Sequence, residues 1–406
     1  MTRTVLRGGV VFDGSGAGLA SADVVIEDGR IVDVGVDLDG DEAVDCRGRA
    51  VLPGFFDCHV HVTISTLDLL KAANTPFSYR FFKAAENLQT TLACGITTAR
   101  DAAGADLGIQ QAVDDGLIPG PRLRIALNMV SQTGGHNDPW MVSGTCIPLL
   151  SSHPGVPPAI VDSPDQMRRV VRELVRAGAN WIKVATSGGV LSPRDDPRHA
   201  HFRDDELEVL VAEARAAHID AMAHAHATDG IKAAVRAGIR SIEHGTILDD
   251  EAIDMMLEAG TYLVPTLVAP ISVVEAAERG QVIDEAILRK GNDLIEVHQE
   301  SFRRAVAAGV RIAMGTDSGV GPHGDNLREL SLMRKGGMSP ADVLVATTRT
   351  SAELLGLSDE LGTLEPGKRA DLVVVDGDPL ELTTLRERVA EVWKDGVRVC
   401  SWEHSL

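Results

Sequence analysis

Basic residues are scarce: 39 Lys and Arg stand against 59 Asp and Glu, a formal net charge of −20. That balance argues against nucleic acid or anionic membrane as a partner, since both need basic patches. Aromatics are equally few, at 3% of 406 residues. The five cysteines (Cys46, Cys58, Cys94, Cys146 and Cys400) are odd in number and form no Cys-x-x-Cys pair. They read as buried free thiols of a reducing compartment. No apolar run approaches membrane-spanning length. The N-terminal stretch Met1–Phe12 also lacks the long apolar core of a signal peptide, so a cytoplasmic location is expected. No Gly-x-Gly-x-x-Gly follows an early strand, which disfavours an open sheet built for a dinucleotide.

What is plentiful is Val, Ile, Leu and Ala, the side chains of a large α/β core. A chain this long is expected to hold about two structural units. Residues 3–57 read as short strands, with a hairpin turn at Asp28-Gly29. They are too little chain for an independent domain. The C-terminus offers partners in Ala370–Asp376 and in Val389–Val399, the latter with its own Asp395-Gly396 turn. A small β-sandwich domain is therefore expected from 1–57 and 358–406, with residues 58–357 inserted between them.

The inserted part alternates strand and helix. A small residue plus Gly recurs where a helix stops and a strand follows, at Gly95, Gly178, Gly238, Gly260 and Gly309. Ser163-Pro164 and Ser339-Pro340 mark helix starts, with a capping hydroxyl before a proline. Strands are predicted at 55–61, 96–100, 122–128, 180–185, 219–224, 239–243, 261–266 and 310–315. Eight such units over about 300 residues is the rhythm of a (β/α)8 TIM barrel, an α/β fold.

In such barrels chemistry gathers at the C-terminal strand ends. Strand one offers His59 and His61, which share a face because alternate strand residues do. Strand four offers Lys183, strand five His224, strand six His244 and strand eight Asp317. Nitrogen and oxygen donors of this kind suit zinc ahead of manganese, cobalt or iron. The lysine is the odd member. Burial beside cations lowers an amine's pKa, and the neutral amine reacts with CO2 to form a carbamate, N6-carboxylysine, able to bridge two divalent metal ions. His226 shares a face with His224; His224 is taken as the ligand and His226 as a residue of the pocket. Arg194 and Arg203, in the loop after strand four, are candidates to grip a substrate carboxylate. His323, just after Asp317, is a further substrate-contact candidate. Arg100 and Asp101 read as a structural ion pair near the mouth.

These pieces resemble the amidohydrolase superfamily, and within it the imidazolonepropionase-related, prolidase-like dipeptidase branch. The resemblance rests on Leu52-Pro-Gly-Phe-Phe-Asp-Cys-His-Val-His61, Gly95-Ile-Thr-Thr-Ala-Arg-Asp101, Thr133-Gly-Gly-His136 and Ile182-Lys-Val-Ala-Thr-Ser-Gly-Gly189. It continues through Ala223-His-Ala-His226, Ser241-Ile-Glu-His-Gly-Thr246, Gly315-Thr-Asp-Ser318 and the Gly362–Pro379 tail, covering nearly the whole chain in order. It implies one metal on His59, His61 and Asp317, and a second on His224 and His244. Carboxylated Lys183 and a hydroxide would bridge them. It further implies that Asp317 serves as general base and acid, and that His136 stabilises the oxyanion.

The activity so implied is hydrolysis of an amide, in a dipeptide or an N-acyl amino acid. An aryl amide, carbamate, urea or lactone would meet the same nucleophile and is the alternative. A mononuclear deaminase or imidazolone hydrolase is disfavoured, because Lys183 is present and no acid follows His224 before Asp229. A non-catalytic scaffold is disfavoured because no ligand is missing. A small-molecule substrate and a homo-oligomer complete the expectation.

Overall fold

The computed structural model describes residues 2–64, 66–148, 150, 152–192 and 194–401. The chain opens with β1 (Thr4–Phe12), β2 (Leu19–Glu27), β3 (Arg30–Gly35), β4 (Glu42–Asp45) and β5 (Arg49–Pro53). Asp28 and Gly29 alone join β2 to β3, at φ 50° and 75°. Two residues at positive φ give the turn whose twist matches that of paired strands.

The chain continues through β6 (Phe55–Val60), β7 (Ile96–Asp101), β8 (Arg122–Ile125), β9 (Met129–Val130) and β10 (Trp181–Ala185). Then come β11 (Asp220–Ala225), β12 (Ser241–His244), β13 (Tyr262–Val264) and β14 (Arg311–Ile312). Strands β6 to β8 form one parallel sheet and β9 to β14 another. The helix punctuation matches the sequence reading. Gly238, Gly260 and Gly309 end their helices at φ 85°, 65° and 88°. The Ser163 and Ser339 hydroxyls accept from the Gln166 and Asp342 N–H groups.

Two predicted strands differ from what forms. The third, expected over 122–128, is broken at Leu127, whose φ of 64° turns the backbone out of the ladder. Its first piece pairs with β7 and its second with β10. The eighth is a strand only over Arg311–Ile312. Beyond it the chain leans onto β6 through Cys58 N–H to Met314 O (2.8 Å), Asp317 N–H to His59 O (2.7 Å) and His61 N–H to Ser318 O (2.7 Å).

The chain returns as β15 (Leu372–Asp376), β16 (Val389–Lys394) and β17 (Val397–Ser401). β15 pairs antiparallel with β5, so both termini share one eight-stranded sheet. Asp395 and Gly396, again at positive φ (52° and 74°), close the β16–β17 hairpin. Alternation along β15 gives this sheet two apolar faces. Leu372 and Val374 pack with Leu6, Val11 and Trp393, whereas Val373 and Val375 join the main core with Phe12, Leu88 and Ile96.

All five cysteines are unpaired. Cys46, Cys58 and Cys94 are buried as expected, but Cys146 is exposed. Among the described residues, no helix is long and apolar enough to cross a membrane.

Candidate active site

The C-terminal ends of the parallel strands meet around a cavity that opens to solvent. His59, His61, Lys183, His224, His244 and Asp317 all line it, as do His136 and His226. Asp317 Oδ1 stands 3.4 Å from His59 Nε2 and 3.2 Å from His61 Nε2. Lys183 Nζ is 3.4 Å from the same His59 nitrogen. Beside them, His224 Nδ1 and His244 Nε2 meet at 2.9 Å.

Each ligand candidate has one ring nitrogen tied down behind it. His59 Nδ1 meets Glu243 Oε2 at 2.7 Å, and His61 Nδ1 meets the Ala103 carbonyl at 2.8 Å. His244 Nδ1 is 2.6 Å from Thr266 Oγ1, and His224 Nε2 is 3.2 Å from the Gly188 carbonyl. The opposite nitrogen is thereby turned toward its neighbours, which is how a protein sets imidazoles for a metal. The donor set fits such an ion. Ligands at about 2.0–2.1 Å from a tetrahedral ion lie about 3.4 Å from one another, close to the spacing around Asp317. The groups His59, His244, Asp317 and His224, His226, His244 each gather donor atoms within 4.8 Å. His226 therefore stays within reach of the second group, although its Nδ1 is taken by Thr246 Oγ1 at 2.6 Å.

Burial governs the charges. It pushes the Lys183 amine down to about 8 and His59 down to about 4, and it holds His224 and His244 well below the ordinary imidazole value. For Asp317 burial works toward a higher pKa, but His59 and His61 outweigh it and the carboxyl ends below its usual value. Burial also works against a charged His61, but Asp317 beside it outweighs burial and raises the pKa of that ring. The cluster thus combines three imidazoles held neutral (His59, His224, His244), a His61–Asp317 pair and a lysine whose pKa is lowered.

The amidohydrolase family model matches residues 50–400. The chain belongs to the amidohydrolase family. It is 32% identical to the ochratoxinase of Aspergillus niger over 417 residues, covering 97% of this chain and 86% of that one. It superposes on a Xaa-Pro dipeptidase solved with methionine in its active site at a TM-score of 0.89, with 32% identity, covering 98% of this chain and 99% of that one. A prolidase solved with N-methylphosphonate-L-proline gives a TM-score of 0.91 and 35% identity, covering 98% and 100%.

In this amidohydrolase the most consequential group missed by sequence reasoning is Glu243. Its carboxylate takes His59 Nδ1 on one oxygen, and on the other the Arg100 guanidinium (2.8 Å) and the Ser241 hydroxyl (2.6 Å). Burial opposes its ionisation, yet Arg100 and His59 bring the carboxyl down to about 2. This corrects the expected Arg100–Asp101 pair. Neighbouring strand residues face opposite sides, so Arg100 reaches across to Glu243 and lies over Trp181. Asp101 instead accepts from the Val62 and Ala105 N–H groups. Removing either member of the buried pair would strand the other's charge, at a cost of about 3–5 kcal/mol. The isosteric change Glu243→Gln is milder. It is expected to weaken metal affinity about 10- to 100-fold, as loss of a partner behind a ligand does, and titration with a competing chelator measures it.

Three substrate-contact candidates do not converge on the cavity. His323 lies behind β6, held between Thr91 Oγ1 (3.1 Å) and the His61 carbonyl (3.3 Å). Arg203 is exposed just before the helix Asp204–Ala216, its N–H donating to Glu206 (2.8 Å). Arg194 lies over the Trp140 ring at 5.2 Å, in an adjoining cavity that shares His136, Met129, Leu150 and Leu191 with the first. A loop residue's direction depends on backbone geometry that strand periodicity does not encode.

Proposed function

We propose that this amidohydrolase is a binuclear metal-dependent enzyme that cleaves the amide of a dipeptide or an N-acyl amino acid. One observation carries the reading: His59, His61, Lys183 and Asp317 converge at ligand spacing beside the His224–His244 pair. His59, His61 and Asp317 would hold one ion and His224 with His244 the other, with Lys183, carboxylated by CO2, reaching both. Two zinc ions bound there would lower the pKa of a water between them and polarise the scissile carbonyl.

The chain's own groups do the rest. Asp317, ionised at the start, takes the proton of the attacking water and hands it to the leaving amine. His136 lines the cavity, where a ring N–H would stabilise the developing oxyanion. His226 lines the same cavity and would meet the substrate there, and Arg194, which lines only the adjoining cavity, would meet a carboxylate that extended into it. The names of the dipeptidase and prolidase relatives support the amide assignment. The same reading takes the two parallel sheets as arcs of one closed (β/α)8 barrel over 58–357, beside a β-sandwich domain of 1–57 and 358–406. The hydrogen bonds from β6 to residues 314–318 support closure.

A second reading has an observation of its own. The wall facing the imidazoles is apolar (Ile64, Leu150, Leu191, Val273, Leu294), and no arginine is among the described residues lining that cavity. That favours an aryl amide, carbamate, urea or lactone. One experiment separates the two: zinc-loaded protein grown with bicarbonate, offered dipeptides, N-acyl amino acids and uncharged aryl amides, with metal content measured alongside. About two equivalents of metal and turnover of the carboxylate-bearing compounds are expected. Turnover of uncharged aryl compounds alone would sink the dipeptidase half and leave the hydrolase.

A further inference from the structure

Beside the ligand cluster lies a buried ion pair that the chemistry above does not use. The Asp195 side chain, in the loop after β10, is 2% exposed. It accepts from the Gly189 N–H (2.8 Å) and the Ser192 hydroxyl, and His136 Nδ1 stands 3.5 Å from its Oδ2. Lys290 reaches it from the helix Glu285–Ala308. The ammonium lies 3.2 Å from Asp195 Oδ1 and donates to the carbonyls of Gly189 (3.1 Å), Ser192 (2.7 Å) and Asp195 itself. One lysine thus ties three carbonyls of the loop to a helix about a hundred residues further on. With two fixed anchors, the carboxylate has little freedom to follow the ring beside it.

That ring is His136, and its place is narrow. It stacks on His224 with centroids 4.2 Å apart and planes 17° from parallel. It also lies so close to Gly189 that a Cβ there would stand 2.1 Å from the ring. Its Nδ1 is 2.8 Å from Ser192 Oγ, the hydroxyl bound to Asp195. The remaining edge of the ring meets the cavity.

We propose that Asp195 is a positioning residue. Pinned by Lys290, and acting directly and through Ser192, it sets the tilt of His136 against His224 so that the free ring nitrogen meets the substrate carbonyl oxygen. This rests on the His136 role given above. A contact residue held at an angle by a buried partner loses its effect when that partner loosens, even though its own atoms remain.

The test is a double-mutant cycle of His136→Ala and Asp195→Asn, run on the metal-loaded protein with the fastest substrate of the screen above. His136→Ala is expected to lower kcat about 100-fold. Asp195→Asn is expected to lower it about 10-fold with KM within about twofold. The double variant should be no slower than His136→Ala alone, because a residue that acts only through the ring has nothing left to act on. Metal content should be unchanged throughout, and a crystal structure of the Asp195→Asn variant should show the His136 ring turned off His224. Multiplying losses in the double variant, or a ring that stays in place, would overturn the proposal. Full activity in His136→Ala would instead remove the His136 role itself, so the two failures are told apart. If Asp195→Asn does not fold, Ser192→Ala enters the same cycle with the same expected non-additivity.

Discussion

Lys183→Ala is expected to lower turnover at least about a thousandfold, some 4 kcal/mol of transition-state stabilisation, and to reduce bound metal below two equivalents. Lys183 is 1% exposed on β10, and burial pushes its amine down to about 8. Roughly a tenth of the amine is therefore neutral at pH 7, far more than for an ordinary lysine, as capture of CO2 requires. Glu243 is spent on His59 and Arg100, and Asp317, although it gathers with both His59 and His244, already lies against His59 and His61. On the binuclear reading, alanine would remove the side chain proposed to reach both metals. A short free carboxylate such as acetate, added at high concentration, should restore part of both activity and metal content. Metal analysis and single-turnover kinetics read the two effects separately. Full turnover in the untreated alanine variant would end the binuclear reading.

Asp317→Asn is expected to lower kcat about 10³- to 10⁵-fold while leaving KM within a few-fold, the pattern of a group that acts in the transition state. The substitution is a clean one for this backbone. Asp317 sits at φ 59°, and asparagine tolerates that left-handed region as well as aspartate does. Shape and burial are preserved, while the negative charge and the capacity to take a proton are lost. Steady-state kinetics at saturating zinc keep weaker metal binding from passing as lost chemistry. Unchanged kcat in a fully loaded Asp317→Asn protein would assign the proton transfer to another residue.

The strand ends that carry the candidate ligands are legible in the sequence because a strand has a two-residue period and its start is marked by the glycine that stops the preceding helix. His59-Val60-His61 and Gly315-Thr-Asp317 carry that pattern openly. The terminal hairpins are equally legible, since Asp28-Gly29 and Asp395-Gly396 admit few other conformations. Glu243 is not. Periodicity sets it on the side opposite His244, yet both reach His59, through a 2.7 Å contact and a 5.1 Å ring separation. They do so because His244, at φ 70°, has left strand geometry. Lys290 and Asp195 are hidden for another reason: 95 positions separate them, and only the packing of a long helix brings them together. The break in the third strand at Leu127 belongs with these, because nothing in Ala126-Leu127-Asn128 announces a left-handed leucine.

The unusual backbone at His244 and Asp317 has a consequence for the protein without its ions. Each of these corners costs a residue other than glycine about 1–3 kcal/mol, and each presents a side chain that the proposed function assigns to a metal. Bound cations would act as latches on two sprung hinges. A chelator should release both, so that hydrogen exchange quickens at Gly245 and Ser318 while the strands behind them stay protected.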